Sequence, residues 1–151
     1  MARWSRILGL AVVSSTVASA TSSVALAALA HVEGKGALQP VNATSHWRNG
    51  EPAAAVTGFD LAHTGVGYAT HHAATFFWAV FFEAWIAWRG PRTPWTATRD
   101  ALALSAIAVV ADYGATPKRF TPGWEFVLSK RAMAGTYVAM ALGFAVSAMR
   151  R

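Results

Sequence analysis

Four apolar stretches, separated by polar and turn-rich segments, organise this chain of 151 residues. The first stretch carries no charge from Ile7 to Ala30, which is long enough for a transmembrane helix of roughly 20 residues. The pattern predicts an all-α fold: an integral membrane bundle of four transmembrane helices with one longer extramembrane loop. The whole chain, 1–151, would form a single membrane domain, with spans at about 7–30, 64–88, 94–113 and 131–149.

The first stretch has a second interpretation as a secretory signal peptide. Arg3 and Arg6 would form its basic region, and Ala28-Leu29-Ala30 offers small residues for a cleavage site. The uncharged run, however, exceeds the usual apolar length of about 7–15 residues in a signal peptide, and Ser and Thr dilute it throughout. We therefore favour a membrane span, and in both interpretations the next segment starts outside the membrane.

The longest polar segment, residues 31–63, is predicted to be a loop on the periplasmic side. Gly34, Pro40, Asn49-Gly50 and Pro52 interrupt it as turn residues. A loop of this length usually has local structure or a function of its own. We therefore expect part of it to be folded.

The third span is the shortest of the four. Thr93 is a good N-cap and Pro94 a good first-turn residue. Its uninterrupted apolar run extends only from Ala101 to Ala111. A crossing therefore requires Arg99 and Asp100 to lie near the inner interface, where an Arg side chain can extend to water.

Basic residues near the span ends predict the orientation, because cytoplasmic loops are enriched in Lys and Arg. Seven basic residues would lie in the cytoplasm: Arg3, Arg6, Arg89, Arg92, Arg99, Arg150 and Arg151. Six would lie on the opposite side: Lys35, Arg48, Lys118, Arg119, Lys130 and Arg131. This slight excess places both termini in the cytoplasm and the chain, as a multi-pass protein, in a bacterial inner membrane.

Composition supports the membrane interpretation. The chain is 54% hydrophobic and 13% charged, whereas about a quarter of the residues are charged in an ordinary soluble domain. The net charge of +6 does not suggest nucleic-acid binding, because the basic residues flank apolar runs instead of forming a stripe. The absence of cysteine excludes disulfides, thiolate nucleophiles and cysteine-ligated metal or iron-sulfur sites. The lipid bilayer is the predicted partner, and a homo-oligomer or another membrane protein is an alternative one.

Two spans carry small residues at every fourth position, a spacing that allows helices in lipid to approach closely. The rows are Ala11, Ser15, Ser19, Ser23 and Ala27 on span one, and Gly135, Ala139, Gly143 and Ser147 on span four. We predict that these rows face each other. The alternative is that an alanine-rich chain produces such spacings by chance.

A polar cluster is predicted at the outer ends of spans two and three. Its members are His46, Asp60, His63, His71, His72, Asp112 and Tyr113. At helical spacing Asp60, His63, Gly67 and His71 form one stripe, from which His72 points about 100° away. The leading interpretation is structural: the histidines hydrogen-bond to Asp112, Tyr113 or loop carbonyls and hold the loop on the bundle.

A metal site is the alternative for this cluster, because imidazole and carboxylate are common metal ligands. The spacing does not favour it, since His63 and His71 would be roughly 12 Å apart along a helix. Haem ligation by His71 or His72 is a further alternative. No cofactor is predicted.

Function is predicted only in outline. The leading hypothesis is a non-enzymatic membrane protein whose outer polar cluster is a structural clamp or a weak binding site. The alternative is a small transport or ion-handling module that uses Asp112, His71 and His72, since ionisable groups at membrane depth are often functional. Glu83 is a second such group, and it could instead pair with Arg89 or Arg99. A proton pathway from Asp112 to Glu83 finds no polar residue on span two between Phe76 and Phe82. Catalysis has no supporting motif.

Three motifs carry a resemblance to a known family. They are Asn42-Ala-Thr-Ser-His46-Trp47, His63-Thr-x-x-Gly-Tyr68-x-x-His71-His72-Ala and Asp112-Tyr-Gly-x-x-Pro-Lys-Arg. Over residues 40–149 the chain resembles small uncharacterised inner-membrane proteins of proteobacteria. That family has no assigned activity, so the resemblance implies the location and no functional residue.

Overall fold

The computed structural model describes residues 2–90 and 93–150, and over these ranges the chain forms helices and turns but no strand. The all-α prediction is confirmed. Arg92 and Arg151, which entered the orientation prediction, lie outside the described residues, as does Pro91. Six α-helices are labelled in chain order: α1 (Ala2–Val32), α2 (Gln39–Ala43), α3 (His46–Asn49), α4 (Val66–Arg89), α5 (Pro94–Val110) and α6 (Lys130–Met149).

Local chemistry explains where the later helices begin. Thr93 caps α5: its hydroxyl accepts a hydrogen bond from the Thr96 backbone N–H at 3.2 Å, and Pro94 occupies the first turn. The predicted cap is thus confirmed. Ser129 does the same for α6 by accepting from the Ala132 N–H, also at 3.2 Å.

The four long helices pack side by side in the order α4, α1, α6, α5. Helix α1 packs extensively against both α4 and α6, and α6 also packs against α5. Helices α4 and α5, although consecutive in the chain, make few contacts with each other. The side between them is therefore open.

Helices α1 and α6 approach closely at Gly143. A Cβ atom on Gly143 would lie 2.6 Å from the Ala18 Cα, so only glycine allows this spacing. Thr21 and Ser14 complete the contact, donating to the Ala139 carbonyl at 3.1 Å and lying 3.0 Å from the Ser147 hydroxyl. The α6 row therefore faces α1.

The α1 residues that meet α6 differ from the predicted row. Residues Ser14, Ala18 and Thr21 meet α6, whereas Ser19 of the predicted row hydrogen-bonds to His72 of α4. Each step along a helix turns the side chain by about 100°, so neighbouring small residues serve different partners. Because α1 lies between two helices, its small residues cover two faces, and spacing alone did not distinguish them.

The interior of the bundle mixes polar and apolar side chains, and large apolar side chains also cover its exterior. Phe82, Phe144 and Leu26 are fully buried, and the buried polar groups among the long helices include Ser14, Ser15, Ser19, Ser22, His71, Thr75, Glu83, Thr136 and Ser147. Large apolar side chains are exposed on all four long helices: Leu8, Val12, Val24, Phe77, Phe81, Trp88, Ile107, Val110, Val138 and Leu142. Extended apolar surfaces of this kind are typical of proteins that contact a membrane or a partner.

Two of the long helices are long and apolar enough to cross a membrane by themselves, Arg3–Val32 within α1 and Lys130–Met149, which is α6. The other two long helices do not meet this criterion. Helix α5 has only 17 residues, and the mean hydropathy of α4 is lowered by its His, Thr, Gly and Tyr residues. The length and composition test thus supports two of the four predicted spans.

The 31–63 loop is folded over one end of the bundle, as its length predicted. It contains α2, α3, a 3-10 turn (Glu51–Ala55) and the start of a π-helical turn (Leu61–Gly65) that leads into α4. Helix α2 is buried against α4, where a Cβ on Gly67 would lie 1.9 Å from the Val41 carbonyl oxygen. Glycine at this position therefore sets how closely the loop sits on the bundle.

Candidate functional site

Asn42 holds the loop together from its centre. Its amide nitrogen donates to the carbonyls of Val56 at 2.8 Å and Gly58 at 2.9 Å. Its amide oxygen accepts from the Thr64 hydroxyl at 2.6 Å. Asn42 is fully buried, so these bonds satisfy a polar side chain that would otherwise be costly to remove from water.

Two tryptophans fasten the loop to the helices beneath it. The Trp124 indole donates to the Thr44 hydroxyl, and the Trp47 indole donates to the Thr70 hydroxyl, both at 3.1 Å. His46 lies below the loop with its Nδ1 3.0 Å from the Ala43 carbonyl and its Nε2 3.2 Å from the Lys118 carbonyl. Together these contacts form what we call the clamp, which holds the 31–63 loop on α4 and on the 116–126 segment.

A cavity of about 380 Å³ lies under this clamp, at the loop-covered end of the gap between α4 and α5, and we call it the outer cavity after the side predicted for the loop. Its walls are largely aromatic. Its polar groups are one histidine, one tyrosine and one aspartate side chain, together with four threonines. The lining comprises Thr44, Trp47, Thr70, His71, Ala74, Thr75, Trp78, Asp112, Phe120, Thr121, Pro122, Trp124, Tyr137 and Met140.

Asp112 supplies the carboxylate of the cavity. It lies in a π-helical turn (Ala111–Ala115) that continues α5, and its Oδ2 accepts a hydrogen bond from the Tyr137 hydroxyl at 2.6 Å. Tyr113, also predicted for the site, stacks edge-on against Tyr137 with ring centroids 6.4 Å apart and does not line the cavity. The carboxylate is thus oriented by a side chain from α6.

His71 and His72 reach different partners on α1. The His71 Nε2 lies 2.8 Å from the Ser22 hydroxyl, and the His72 Nδ1 lies 2.8 Å from the Ser19 hydroxyl. His71 also packs edge-on against Trp124, at 5.5 Å between ring centroids, and lines the cavity. The structural hypothesis expected bonds to Asp112, Tyr113 or loop carbonyls. For these two residues the serine hydroxyls of α1 take that role, and no signal in the local sequence indicated it.

Asp60 and His63 form a separate pair at the surface. The His63 Nδ1 lies 2.5 Å from the Asp60 Oδ2, and together with the Ala62 N–H it holds the pKa of the Asp60 carboxyl below its usual value. The predicted stripe from Asp60 to His71 is not formed as one face. Asp60 has an extended backbone, and a π-helical turn, not an α-helical one, separates it from α4.

The predicted cluster is therefore divided. His71 and Asp112 line the cavity, His46 supports the clamp above it, and Asp60 with His63 lies apart. His72 contacts Ser19 and Tyr113 packs on Tyr137, and neither lines the cavity. Within residues 2–90 and 93–150, no three His, Asp or Glu side chains lie close enough to hold a metal ion. Metal or haem binding at His71 or His72 remains a hypothesis.

Glu83 lies in the interior, 1% exposed, where it accepts a hydrogen bond from the Ser14 hydroxyl. The arginines predicted as partners make other contacts: Arg99 binds Asp100 at 2.7 Å, and the Arg89 guanidinium lies over the Trp85 ring at 5.0 Å. Serines of α1 therefore contact all three ionisable side chains on the buried face of α4.

The sequence matches no family model, and no curated protein or solved structure is similar to it. The chain is a helical bundle with a mixed polar and apolar interior, large apolar side chains on its exterior, and a cavity with aromatic walls covered by a clamped loop.

Proposed function

We propose that the chain is a four-span protein of a bacterial inner membrane, with α1, α4, α5 and α6 crossing the bilayer and both termini in the cytoplasm. The supporting observation is the set of large apolar side chains exposed on all four helices, with serines, threonines and Glu83 among the groups buried between them. Lipid is as apolar as leucine, so helices in a bilayer gain little by burying large apolar groups and associate through small and polar residues.

The short α5 is compatible with a crossing. Its 17 residues extend about 26 Å, and the turn to Ala115 adds length towards the hydrocarbon thickness of about 30 Å. Arg99 has a half-exposed side chain and lies near the inner end. Reporter fusions at Gly50, Gly90 and Pro117 test the topology: we expect Gly50 and Pro117 outside and Gly90 inside. A cytoplasmic Gly50 would refute it.

We further propose that the protein is a non-enzymatic binding protein, and that its outer cavity takes a small organic cation such as a substituted ammonium. The observation that carries this proposal is one carboxylate, Asp112, in a cavity walled by Trp47, Trp78, Trp124 and Tyr137. Aromatic ring faces attract cations, and aromatic walls are the usual setting for binding quaternary ammonium groups. The volume lies within the range of about 300–1,000 Å³ typical of small-molecule sites.

The test compares two probes of one shape. Choline, which carries a trimethylammonium head, and its uncharged isostere 3,3-dimethylbutanol are titrated against the purified protein in nanodiscs, with tryptophan fluorescence as the readout. We expect choline to bind more tightly and Asp112→Asn to weaken it by about 10- to 100-fold, because unit charges about 6 Å apart attract each other by roughly 3 kcal/mol at an effective dielectric constant of about 20. Asp60→Asn is the matched control, since Asp60 lies outside the cavity. Equal binding of the two probes would reject the cation site.

Ion handling is the second candidate, and one observation favours it. The pairs Ser22–His71, Ser19–His72 and Ser14–Glu83 place hydroxyl groups along α1 beside the apolar stretch of α4. The absence of polar residues between Phe76 and Phe82, which argued against a pathway, is thus partly offset by α1. Proton uptake into proteoliposomes tests it: an unchanged rate in Glu83→Gln and Ser19→Ala variants would exclude a pathway along this row.

A further inference from the structure

The open side of the bundle contains a second cavity of about 460 Å³, in the inner half of the gap between α4 and α5. It is lined by Trp78, Phe81, Phe82, Trp85, Asp100, Ala103, Leu104 and Ile107. Trp78 also lines the outer cavity, so the two are neighbours along one groove. We call this the α4–α5 groove.

The groove has the length of one bilayer leaflet. From Asp100 to Asp112, which lie at its two ends, α5 and its terminal turn rise about 18 Å. Half of a hydrocarbon core of about 30 Å is roughly 15 Å. An extended hydrocarbon chain with its polar head beside Asp112 would therefore reach to Trp85 and Asp100.

The two ends of the groove differ in how their carboxylates are neutralised. Asp100 accepts from Arg99 at 2.7 Å and from the Trp85 indole at 3.2 Å. Asp112 accepts from the neutral hydroxyl of Tyr137, and no Lys or Arg lines its cavity. A cationic head is therefore complementary to the Asp112 end and not to the Asp100 end.

The lining of the groove favours a hydrocarbon chain. Apart from Asp100, every residue that lines it is apolar or aromatic, and Asp100 is already paired with Arg99. The exposed Phe81 and Ile107 at its edges would border the chain on the lipid side.

We propose that the ligand of the outer cavity is a long-chain ammonium amphiphile whose hydrocarbon chain lies in the α4–α5 groove. This inference rests on the proposed cation site and adds the chemical class of the ligand. The head lies between Asp112 and the aromatic walls, and the chain follows Trp78 towards Trp85. The ligand enters laterally, from the outer leaflet, through the gap that α4 and α5 leave open.

The test uses a dodecyl trimethylammonium probe that carries a diazirine at the end of its chain. Wild-type protein in nanodiscs is irradiated with it, and labelled peptides are mapped by mass spectrometry. We expect labels on α4 and α5 near Trp85 and Ala103, because Ala103 lies about 14 Å along α5 from Asp112, where the end of the chain would lie. Ala103→Trp fills the groove and should reduce this labelling about tenfold, whereas Ala106→Trp, on the same exposed helix but outside the lining, should leave it unchanged.

The outcomes separate the two proposals. If choline binds in an Asp112-dependent way but the groove is not labelled, the amphiphile inference is wrong and the cation site stands. If the groove is labelled equally in Asp112→Asn, it holds bulk lipid and the amphiphile inference is again wrong. If choline itself shows no Asp112-dependent binding, the cation site fails, and the amphiphile inference fails with it.

Discussion

Replacing Gly143 with alanine tests the packing of α1 on α6 most directly. The added Cβ would lie 2.6 Å from the Ala18 Cα, 3.1 Å from its backbone nitrogen and 2.4 Å from the Thr21 Oγ1. The threonine side chain can rotate, but the backbone of Ala18 can move only with the whole of α1. The substitution therefore forces the two helices apart.

The magnitude follows from two opposing terms. Overpacking a close contact costs about 1–3 kcal/mol, while alanine is favoured over glycine within a helix by about 1 kcal/mol. The matched control is Gly9→Ala on α1, whose Cβ would meet nothing within 4 Å, so only the helix propensity acts there. The propensity term is common to both variants, so we expect Gly143→Ala to be less stable than Gly9→Ala by the overpacking term alone, roughly 1–3 kcal/mol.

Reversible unfolding in mixed micelles, titrated with SDS and followed by circular dichroism, measures this difference. Gly135→Ala provides an intermediate case, because its Cβ would meet only the flexible end of Leu29 at 3.3 Å. A Gly143→Ala, Thr21→Ala double variant should remain destabilised, since the Ala18 backbone contact persists. Equal stability of Gly143→Ala and Gly9→Ala would refute the close approach of α1 and α6.

Three further predictions concern the 31–63 loop, the hydrogen bonds between Glu33 and Ser129, and the histidines. Gly67→Ala, whose Cβ would lie 1.9 Å from the Val41 carbonyl, should increase protease cleavage in residues 31–63, whereas Gly58→Ala, with open space around it, should not. Hydrogen bonds from the Ser129 hydroxyl and backbone N–H lower the pKa of Glu33, so its stabilising contribution is complete above the unfolded value of 4.5 and is lost as the pH falls through the lower folded value. The melting temperature should accordingly fall less with decreasing pH in Glu33→Gln than in the unmodified chain. Identical dependence of the melting temperature on pH in the two proteins would contradict this. Elemental and haem analysis of purified protein should give the same result for the wild type and a His71→Ala, His72→Ala variant; a stoichiometric ion or haem lost in the variant would show that the histidines are ligands.

The helical elements were predictable because their signals are local. Apolar length, the Thr93-Pro94 start of α5 and the turn residues of the 31–63 loop act over a few positions each. The face that α1 turns to each neighbour was not predictable in the same way. Ser14 and Ser15 differ by one position, and the choice between them depends on partners more than 60 residues away.

Some residues of the candidate site could be predicted from the sequence, but their arrangement in space could not. His71 and Asp112 were singled out as ionisable groups near membrane depth, and both line the outer cavity. The aromatic walls were missed, because Trp47, Trp78 and Trp124 come from a loop, a helix and a turn that share no periodicity. The same long-range packing separated Asp60 and His63 from His71.

In the four-span topology proposed above, the spatial order α4, α1, α6, α5 would have a consequence for how the chain enters a bilayer during synthesis. The two helices long and apolar enough to cross a membrane by themselves are the first and the last, α1 and α6. The two helices between them each pack on one of these: α4 on α1, and α5 on α6. Helix α4, with its His71, His72 and Glu83, would leave the ribosome after α1, whose serines contact those groups. Helix α5 would wait near the interface until α6 follows it, so that assembly would proceed as two successive pairs.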